Sequence, residues 1–466
     1  MVVNRFLPFI NTALQSCYNS VTMPSPMTHG RNLRDLMRDR LPARIFNRLE
    51  DAGRLAQQSG ATAFVVGGLV RDLLLGRATI DVDIAVEGDG MAFARRLADR
   101  QGAALKIFER FATAYVVFPD RMKFDIASTR AGQPARLGAG NEGAWSAPAG
   151  ESCSIEQDLM RRDFTINALA VHLNAGRFGQ LLDPSGGLRD LRGRTIRAVC
   201  DLSFTDDPTR VYRAIRFERR FGFTIEQRTL RLLKEAVANR LAHRLPGHRV
   251  KNELMLLLAE PDPARTIRRL SALNLLHPIH PALQLTPHLT TLLAGLTNAL
   301  EWWTRRFPDR KPDHPLAYFM ALTAGLSAPA VNALMKRLVL PEGQADKVRT
   351  VTRRLEPTLR RLHKDRPLTP SQAYRLLIGL PDEGLILLAA EAPSARVKRL
   401  LSAYLTAYQP TRLAISGRNL AAMGLKSGPI YKTVLDRVLD AKLDGTVTTA
   451  REERELAQRL VKKVAV

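Results

Sequence analysis

The sequence predicts an α+β chain, with a small mixed sheet near the front and a long all-helical remainder behind it. Three observations predict this. Short apolar runs of strand character, separated by glycine-containing or charged turns, are confined to residues before about 225. Beyond them, apolar residues recur at helical spacing and strand signals nearly vanish. Finally, 466 residues are too many for one core, and a working size of roughly 150 residues per domain implies about three units.

Composition narrows the function. Hydrophobic residues make up 45% of the chain, enough for substantial cores, yet no apolar run approaches the ~20 residues of a membrane span. Cys17, Cys153 and Cys200 show no CxxC spacing, which argues against a disulfide framework or zinc site and predicts bystander thiols in a reducing cytoplasm. Lys plus Arg number 70 against 45 Asp plus Glu, a net charge of +25. Such an excess attracts polyanions, and the dominance of arginine suits planar recognition of phosphate. An Arg-, Ala- and Leu-rich composition set by genomic base content produces the same excess with no partner at all.

Residues 1–34 read as a disordered extension, or as the product of a start codon upstream of the true one, with Met23 and Met27 as alternatives. From Leu36 to Gln58, Leu41, Ile45, Leu49 and Leu55 fall at helical spacing. Then comes AFVVGGLVRDLLLGRATIDVDIAV (63–86): strand, Gly67-Gly68 turn, short helix, second strand. The turn lets backbone N–H groups approach an anion. Asp81 and Asp83, two residues apart on a strand, point the same way. Paired carboxylates repel, and Mg²⁺ is typically held by one or two of them plus substrate phosphates. A lone GG is most often only a turn, and a lone DxD only a solvated strand edge. A phosphate cradle beside a metal site suggests nucleotidyl transfer.

Residues 91–101 predict an amphipathic helix, and Tyr115–Phe118 and Met122–Ala127 two apolar segments. Asp125 is equally a strand-edge aspartate or a third site carboxylate; Arg130 stands within reach of a phosphate. Residues 131–151, rich in Gly, Ala and Pro, predict a mobile loop. RRDFTINA (161–168) reads as an N-capped helix start whose Arg162, Asp163 and Asn167 present polar edges. In DDPTR (206–210) running into VYRAIRF, Asp207, Arg210, Arg213 and Arg216 share one side of a helix; a solvated charged face is the plain alternative. Helices are expected at 228–238, 249–259 and 263–275, and HPIHP (277–281) as an exposed turn. From Pro312 on, helices alternate with Pro- or Gly-containing turns, and Arg349, Arg353, Arg354, Arg360, Arg361 and Lys364 recur along them. Near the end, GLKSGP (424–429) precedes another helix; its Lys426 offers a phosphate contact, or the segment is a tight turn.

Taken in order, GGLVRDLLLG…DVDIAV, RRDFTINA and DDPTR resemble the DNA polymerase β-like nucleotidyltransferase superfamily, most closely its class II branch of tRNA nucleotidyltransferases and bacterial poly(A) polymerases. The resemblance covers residues 60–260 and reaches the tail weakly. It implies a nucleotidyltransferase head over 35–170, a neck over 171–240 that recognises the base, a helical body over 241–330 and a tRNA-binding tail over 331–466. It assigns catalysis to Asp81, Asp83 and Asp125, with Asp81 and Asp83 holding Mg²⁺ at what resembles a two-metal site. Gly67, Gly68, Arg71, Asp72, Arg162, Asp163, Asn167, Asp207, Arg210, Arg213 and Arg216 would bind nucleotide, Asp207 and Arg210 reading the base of CTP or ATP. Arg353, Arg354, Arg360, Arg361 and Lys426 would meet the RNA. KIFERFAT (106–113) stands where the family carries a flexible loop, and its departure from the family's Tyr-Gly-Thr leaves addition of CCA, of A alone or of CC alone open. DVDIAV and the lack of a basic insertion before Tyr115 favour a tRNA enzyme over a poly(A) polymerase. A non-enzymatic RNA-binding protein would need no combination of Asp81, Asp83 and the Arg162 block.

Overall fold

The computed structural model describes residues 31–109, 112–129, 153–364 and 367–464. The chain divides into two compact units at Leu245/Pro246. Cys17, Phe111, Arg130 and the expected loop 131–151 lie outside the described residues.

The first unit opens with α1 (Arg34–Arg40) and α2 (Ala43–Gln58) instead of the single helix expected over 36–58. Proline explains the break: Leu41, forced into an extended conformation at ψ 143° by Pro42, ends the first helix. The expected extension also ends earlier than Arg34. Leu33 is buried and donates its N–H to the Gly179 carbonyl at 2.7 Å, and the Asn32 amide donates to the Phe178 carbonyl at 2.9 Å.

A seven-stranded mixed sheet follows, in the order β3-β4-β5-β2-β1-β6-β7. Its strands are β1 (Thr62–Val66), β2 (Val82–Glu87), β3 (Ala104–Phe108), β4 (Thr113–Val117), β5 (Lys123–Ser128), β6 (Ala170–His172) and β7 (Leu181–Leu182). Only β2 and β5 run parallel; the other pairs are antiparallel. β3 is a correction: Lys106–Phe108 belong to an edge strand paired with β4, where a loop was expected. Between β1 and β2 lies α3 (Gly68–Leu74), and after β2 comes α4 (Gly90–Gln101), capped by Asp89, whose carboxylate accepts from Met91 N and Ala92 N at 3.0 Å. Val82, Ala114, Val116, Phe124 and Ile126 are buried while their strand neighbours are not, so one face of β4, β5 and the start of β2 is core and the other open; past Asp83, Ile84, Ala85 and Val86 bury both faces of β2.

α5 (Ile155–Leu159) packs Ile155 and Leu159 into a cluster with Phe64, Val66, Ala85 and Ala170. RRDFTINA does not form the expected α-helix; it forms a 3₁₀ turn over Thr165–Asn167 that leads into β6. Next come α6 (Gly187–Arg192), β8 (Thr195–Ile196), α7 (Ser203–Asp206), α8 (Arg210–Phe221), β9 (Thr224–Ile225) and α9 (Gln227–Ala238), with β8 and β9 paired parallel.

Among the described residues, the second unit is helical throughout: α10 (Gly247–Leu258), α11 (Pro263–Ala272), α12 (Pro287–Arg306), α13 (His314–Thr323), α14 (Ala328–Leu338), α15 (Glu342–Leu362), α16 (Pro370–Leu377), α17 (Asp382–Glu391), α18 (Ala395–Ala403), α19 (Gly417–Ala422), α20 (Pro429–Leu443) and α21 (Ala450–Val464). HPIHP is a turn as expected, but it is not exposed throughout: Pro278 and Ile279 are buried. Two buried carboxylates pin this unit. Glu383 accepts from Lys347 Nζ at 3.0 and 3.2 Å and from Asp313 N at 3.0 Å. Glu453 accepts from Lys442 Nζ at 2.6 Å and from Ala414 N at 2.7 Å, closing a small core of Ile415, Leu420, Val434, Val438, Ala457 and Val461. Among the described residues, no helix is long and apolar enough to cross a membrane.

Candidate active site

Strand pairing builds the acidic centre. Asp83 on β2 is the register partner of Asp125 on the adjacent parallel β5, and both side chains stand on the open face. Asp81, just before β2, is exposed, as is Asp83, with buried Val82 between them, the alternation expected of a strand. The Asp83 residue is open to water, but its carboxyl group is crowded by protein. That desolvation, then the charges of Asp125 and Asp81, push its pKa up, with Arg162 and Lys123 opposing. Lys123, two residues before Asp125, partly neutralises the pair: its Nζ lies 2.8 Å from Asp125 Oδ1 and 3.0 Å from Oδ2. Only the Oδ2 contact is aligned as a hydrogen bond, so the water-excluded Oδ1 has an ion-pair contact without an aligned donor.

The Gly-Gly turn comes next to these carboxylates. Gly67 has φ +67°, and a side chain there would put its Cβ 2.7 Å from Arg162 Nη1. The backbone angle therefore favours glycine, and a Cβ would in addition displace the end of the Arg162 side chain packed against it. Arg162 is held by Asp158 at 3.1 Å. Gly67, Gly68, Arg162 and the acidic pair thus form one electrostatic neighbourhood.

Arg71 and Asp72 lie differently from the nucleotide ligands that the resemblance implied. Both are buried, and Arg71 Nε and Nη2 donate to the two Asp72 oxygens at 2.9 and 3.0 Å. Arg71 Nη1 donates to Asn167 Oδ1 at 2.5 Å, and the Asn167 amide in turn donates to Asp163 Oδ1 at 2.9 Å. Asp163 Oδ2 takes Arg213 Nε at 2.8 Å and Nη2 at 2.7 Å. Burial alone would raise the Asp163 carboxyl, but Arg213, Asn167 and Arg210 hold it below the usual carboxylate range. The same Arg71 guanidinium lies 4.7 Å from the Phe221 ring centre and 5.4 Å from that of Phe217. Contact of Arg71 or Asp72 with a phosphate would require these bonds to break. The chain Asp72–Arg71–Asn167–Asp163–Arg213 is instead a continuous tie from α3 to α8.

The base-reading candidates flank the start of α8. Asp207 is not on the helix: it is extended at φ −139°, and its Oδ1 accepts from Thr209 N and Oγ1 at 3.0 and 2.7 Å. Arg210 opens the helix, buried, with Nη1 on Ser203 Oγ at 2.8 Å and Nη2 on the Arg161 carbonyl at 2.8 Å. Arg216 is buried against Phe217, 5.2 Å from its ring centre. Ser203, Lys123, Phe217 and Phe221 were missed in the sequence. Lys123 carried a signal, standing two residues before Asp125 on one strand; the others act across elements that only the fold brings together.

In the second unit, Arg353 and Lys426 are exposed, and Arg360 is exposed in an i,i+4 pair with Glu356 at 2.9 Å. Arg361 is half-buried. Arg354 donates to the carbonyls of Leu376, at 2.7 Å, and Ile378, so it fastens the end of α16. Among the described residues, no three His, Cys, Asp or Glu side chains converge on a single metal position.

Comparison with known proteins agrees with this architecture. Residues 63–197 match the family described as "Poly A polymerase head domain", and 222–285 match "Probable RNA and SrmB- binding site of polymerase A". The A-adding tRNA nucleotidyltransferase of Geobacter sulfurreducens is 39% identical over 92% of this chain, although the chain spans only 48% of that relative's length. The A-adding tRNA nucleotidyltransferase of Halalkalibacterium halodurans is 31% identical, over 92% of this chain and 96% of the relative. The Thermotoga maritima CCA-adding enzyme, solved with tRNA, superposes with a TM-score of 0.74 at 31% identity, covering 93% of this chain and 99% of that one. The mixed-sheet head, the helical remainder and these matches together place the chain in the tRNA nucleotidyltransferase and poly(A) polymerase family.

Proposed function

We propose that this protein adds C and/or A to the 3′ end of tRNA from CTP or ATP, releasing pyrophosphate. The observation that carries the reading is the register pairing of Asp83 with Asp125 beside the Gly67 turn and Arg162. It puts hard oxygen donors next to a cationic, glycine-bounded surface suited to a triphosphate. The names of the two relatives favour addition of A to tRNA.

The residues fit Mg²⁺. Asp81 and Asp83, with Asp125 alongside, are carboxylates whose mutual repulsion a divalent cation relieves, and Mg²⁺ is typically held by one or two carboxylates together with substrate phosphates and water. When bound, Mg²⁺ supplies charge neutralisation of the phosphates and acidification of the attacking hydroxyl. Arg162 stabilises the triphosphate. Asp207 accepts from the exocyclic amino group of cytosine or adenine, and Arg210 donates to the neighbouring ring nitrogen, exchanging its bond to Ser203 Oγ or the Arg161 carbonyl for the base. Uracil and guanine present the reverse pattern, so the pair selects C and A without a nucleic-acid template. Arg213 holds Asp163 in place, and Arg71 and Asp72 position α3; neither pair needs to touch the nucleotide. The exposed arginines and Lys426 of 331–466 offer phosphate contacts for tRNA. A tRNA substrate and the unpaired Cys153 and Cys200 thiols support a cytoplasmic setting.

The test is direct. Incubate the protein with tRNAs ending before A, before CA or before CCA, and with labelled ATP or CTP. Incorporation from ATP onto the CC-ending tRNA alone makes it A-adding; incorporation of both nucleotides makes it CCA-adding. Long adenylate tails on unrelated RNA would establish a poly(A) polymerase. No incorporation into any substrate overturns the proposal.

A further inference from the structure

The open sheet face does not end at the carboxylates. Continuing across the strands from Asp83 and Asp125, the same register row reaches Tyr115 on β4 and Lys106 on β3. In the neighbouring row Phe108 stands on β3, and its ring meets Tyr115 edge-on with centroids 4.9 Å apart. Lys106 Nζ lies 5.1 Å from the centre of the Phe108 ring. Lys123 Nζ lies 4.3 Å from the centre of the Tyr115 ring while also holding Asp125. Val117, the next outward residue on β4, is exposed. The residues on the other face of β4 and β5, Ala114, Val116, Phe124 and Ile126, are all in the core.

We infer that this face, Tyr115 and Phe108 with Lys106 and Lys123, is a stacking platform for the unpaired 3′-terminal nucleotides of the RNA acceptor. The inference rests on the proposed function, since it takes the 3′ hydroxyl to lie at the carboxylates. Two aromatic rings interleaved with two ammonium groups are the combination that binds single-stranded nucleic acid without reading its sequence. Position selects the occupant. Tyr115 is two strand spacings, about 10 Å, from Asp83, within reach of the last one or two nucleotides of a strand that ends there. The exposed Lys106 ammonium meets phosphate, Lys123 remains on Asp125 beside the Tyr115 ring, and the rings meet bases. Tolerance of base identity is what an acceptor site needs when successive additions change the terminal residue. The platform adds a second anchoring point for RNA on the first unit itself, separate from the nucleotide-selecting residues at the start of α8.

The test uses the full chain and a tRNA whose 3′-terminal base is 2-aminopurine. Tyr115→Leu and Phe108→Leu keep an apolar strand residue and remove the ring; Tyr115→Trp keeps a ring. Wild type and Tyr115→Trp should quench 2-aminopurine on binding, and the leucine variants should not. The KM for tRNA should rise roughly 5- to 100-fold in each leucine variant, with the KM for ATP or CTP unchanged. Unchanged tRNA KM and full quenching in both leucine variants overturn the platform and leave the two lysines as edge-strand protection. An equal rise in the nucleotide and tRNA KM values also overturns it, because it marks a distorted sheet. If wild-type protein adds neither nucleotide to any tRNA, the proposed activity falls, whereas the quenching measurement still decides the platform.

Discussion

Asp83 and Asp125 face each other across two parallel strands, in register, and their charges are balanced by Arg162 and Lys123. The two carboxylates are unequal: Lys123 is paired with Asp125, while Asp83 has the raised pKa.

Asp83→Asn should therefore lower single-turnover nucleotide transfer by about 10²–10³-fold or more, as expected when a group that stabilises developing charge is removed. Its melting temperature should hold or rise. A carboxyl whose folded pKa lies above its unfolded value costs stability at neutral pH, and the amide removes that cost. Asp125→Asn should reduce transfer less. A large fall in melting temperature for Asp83→Asn would contradict this account.

Arg71 offers the opposite profile. It is a buried ion pair with Asp72, extended through Asn167 and covered by Phe217 and Phe221. Arg71→Ala should cost about 3–5 kcal/mol of stability by stranding the Asp72 carboxylate, and Arg71→Lys should recover part of it. Urea denaturation of the three proteins measures this. Unchanged stability with a raised nucleotide KM would instead make Arg71 a phosphate ligand.

His172 sets an acid limit. Burial, then the charge of Arg177, pushes its pKa down to about 4 from an ordinary value of 6.5. Its Nδ1 accepts from Asn174 N at 3.2 Å, so the folded ring is neutral. Unfolded chains take up the proton first as pH falls. Stability should thus decline between pH 6.5 and about 4, and level off with respect to this group below that. His172→Gln, which keeps an acceptor, should flatten the decline in urea titrations at pH 7, 6 and 5. Parallel curves for the two proteins would remove His172 as the cause.

Val339 ends α14 at φ +52°, a conformation that a β-branched residue adopts at a cost, and its side chain is 62% exposed. Val339→Gly should relieve about 1–2 kcal/mol of strain against a glycine entropy cost of about 0.5–1 kcal/mol. The net gain should raise the melting temperature by up to a few degrees. A fall would mean that Val339 packs in a way its exposure does not show.

Much of the acidic centre was legible because strand alternation and the Gly-Gly turn are local patterns: Asp81, Asp83, Gly67 and Arg162 could each be located from neighbours in the chain. Arg71 was not legible. Nothing near residue 71 announces Phe217 and Phe221, which lie about 150 residues further on and turn a candidate phosphate ligand into a buried tie. Asp207 was set on a helix by its spacing from Arg210, but the turn at Pro208 leaves it outside. The edge strand β3 was hidden for a related reason. Its lysine and aromatic residues face outward, so the apolar alternation that marks a half-buried strand is weak there. Arg354 shows the limit of reading charge: its guanidinium caps backbone carbonyls, whereas its neighbour Arg353 is exposed.

The Glu453 carboxylate has a consequence for synthesis. Its partners, the Ala414 amide and Lys442, emerge from the ribosome first, with Ala414 39 residues ahead of Glu453. Until α21 arrives, the Ala414 amide lacks this acceptor, the Lys442 ammonium has the Arg412 carbonyl but no carboxylate, and Val434 and Val438 of α20 lack the Ala457 and Val461 side of their core. The small helical module over 413–464 is therefore completed only when α21 docks. The Lys442–Glu453 pair closes over a short loop, at little cost in entropy, once residue 453 has left the exit tunnel.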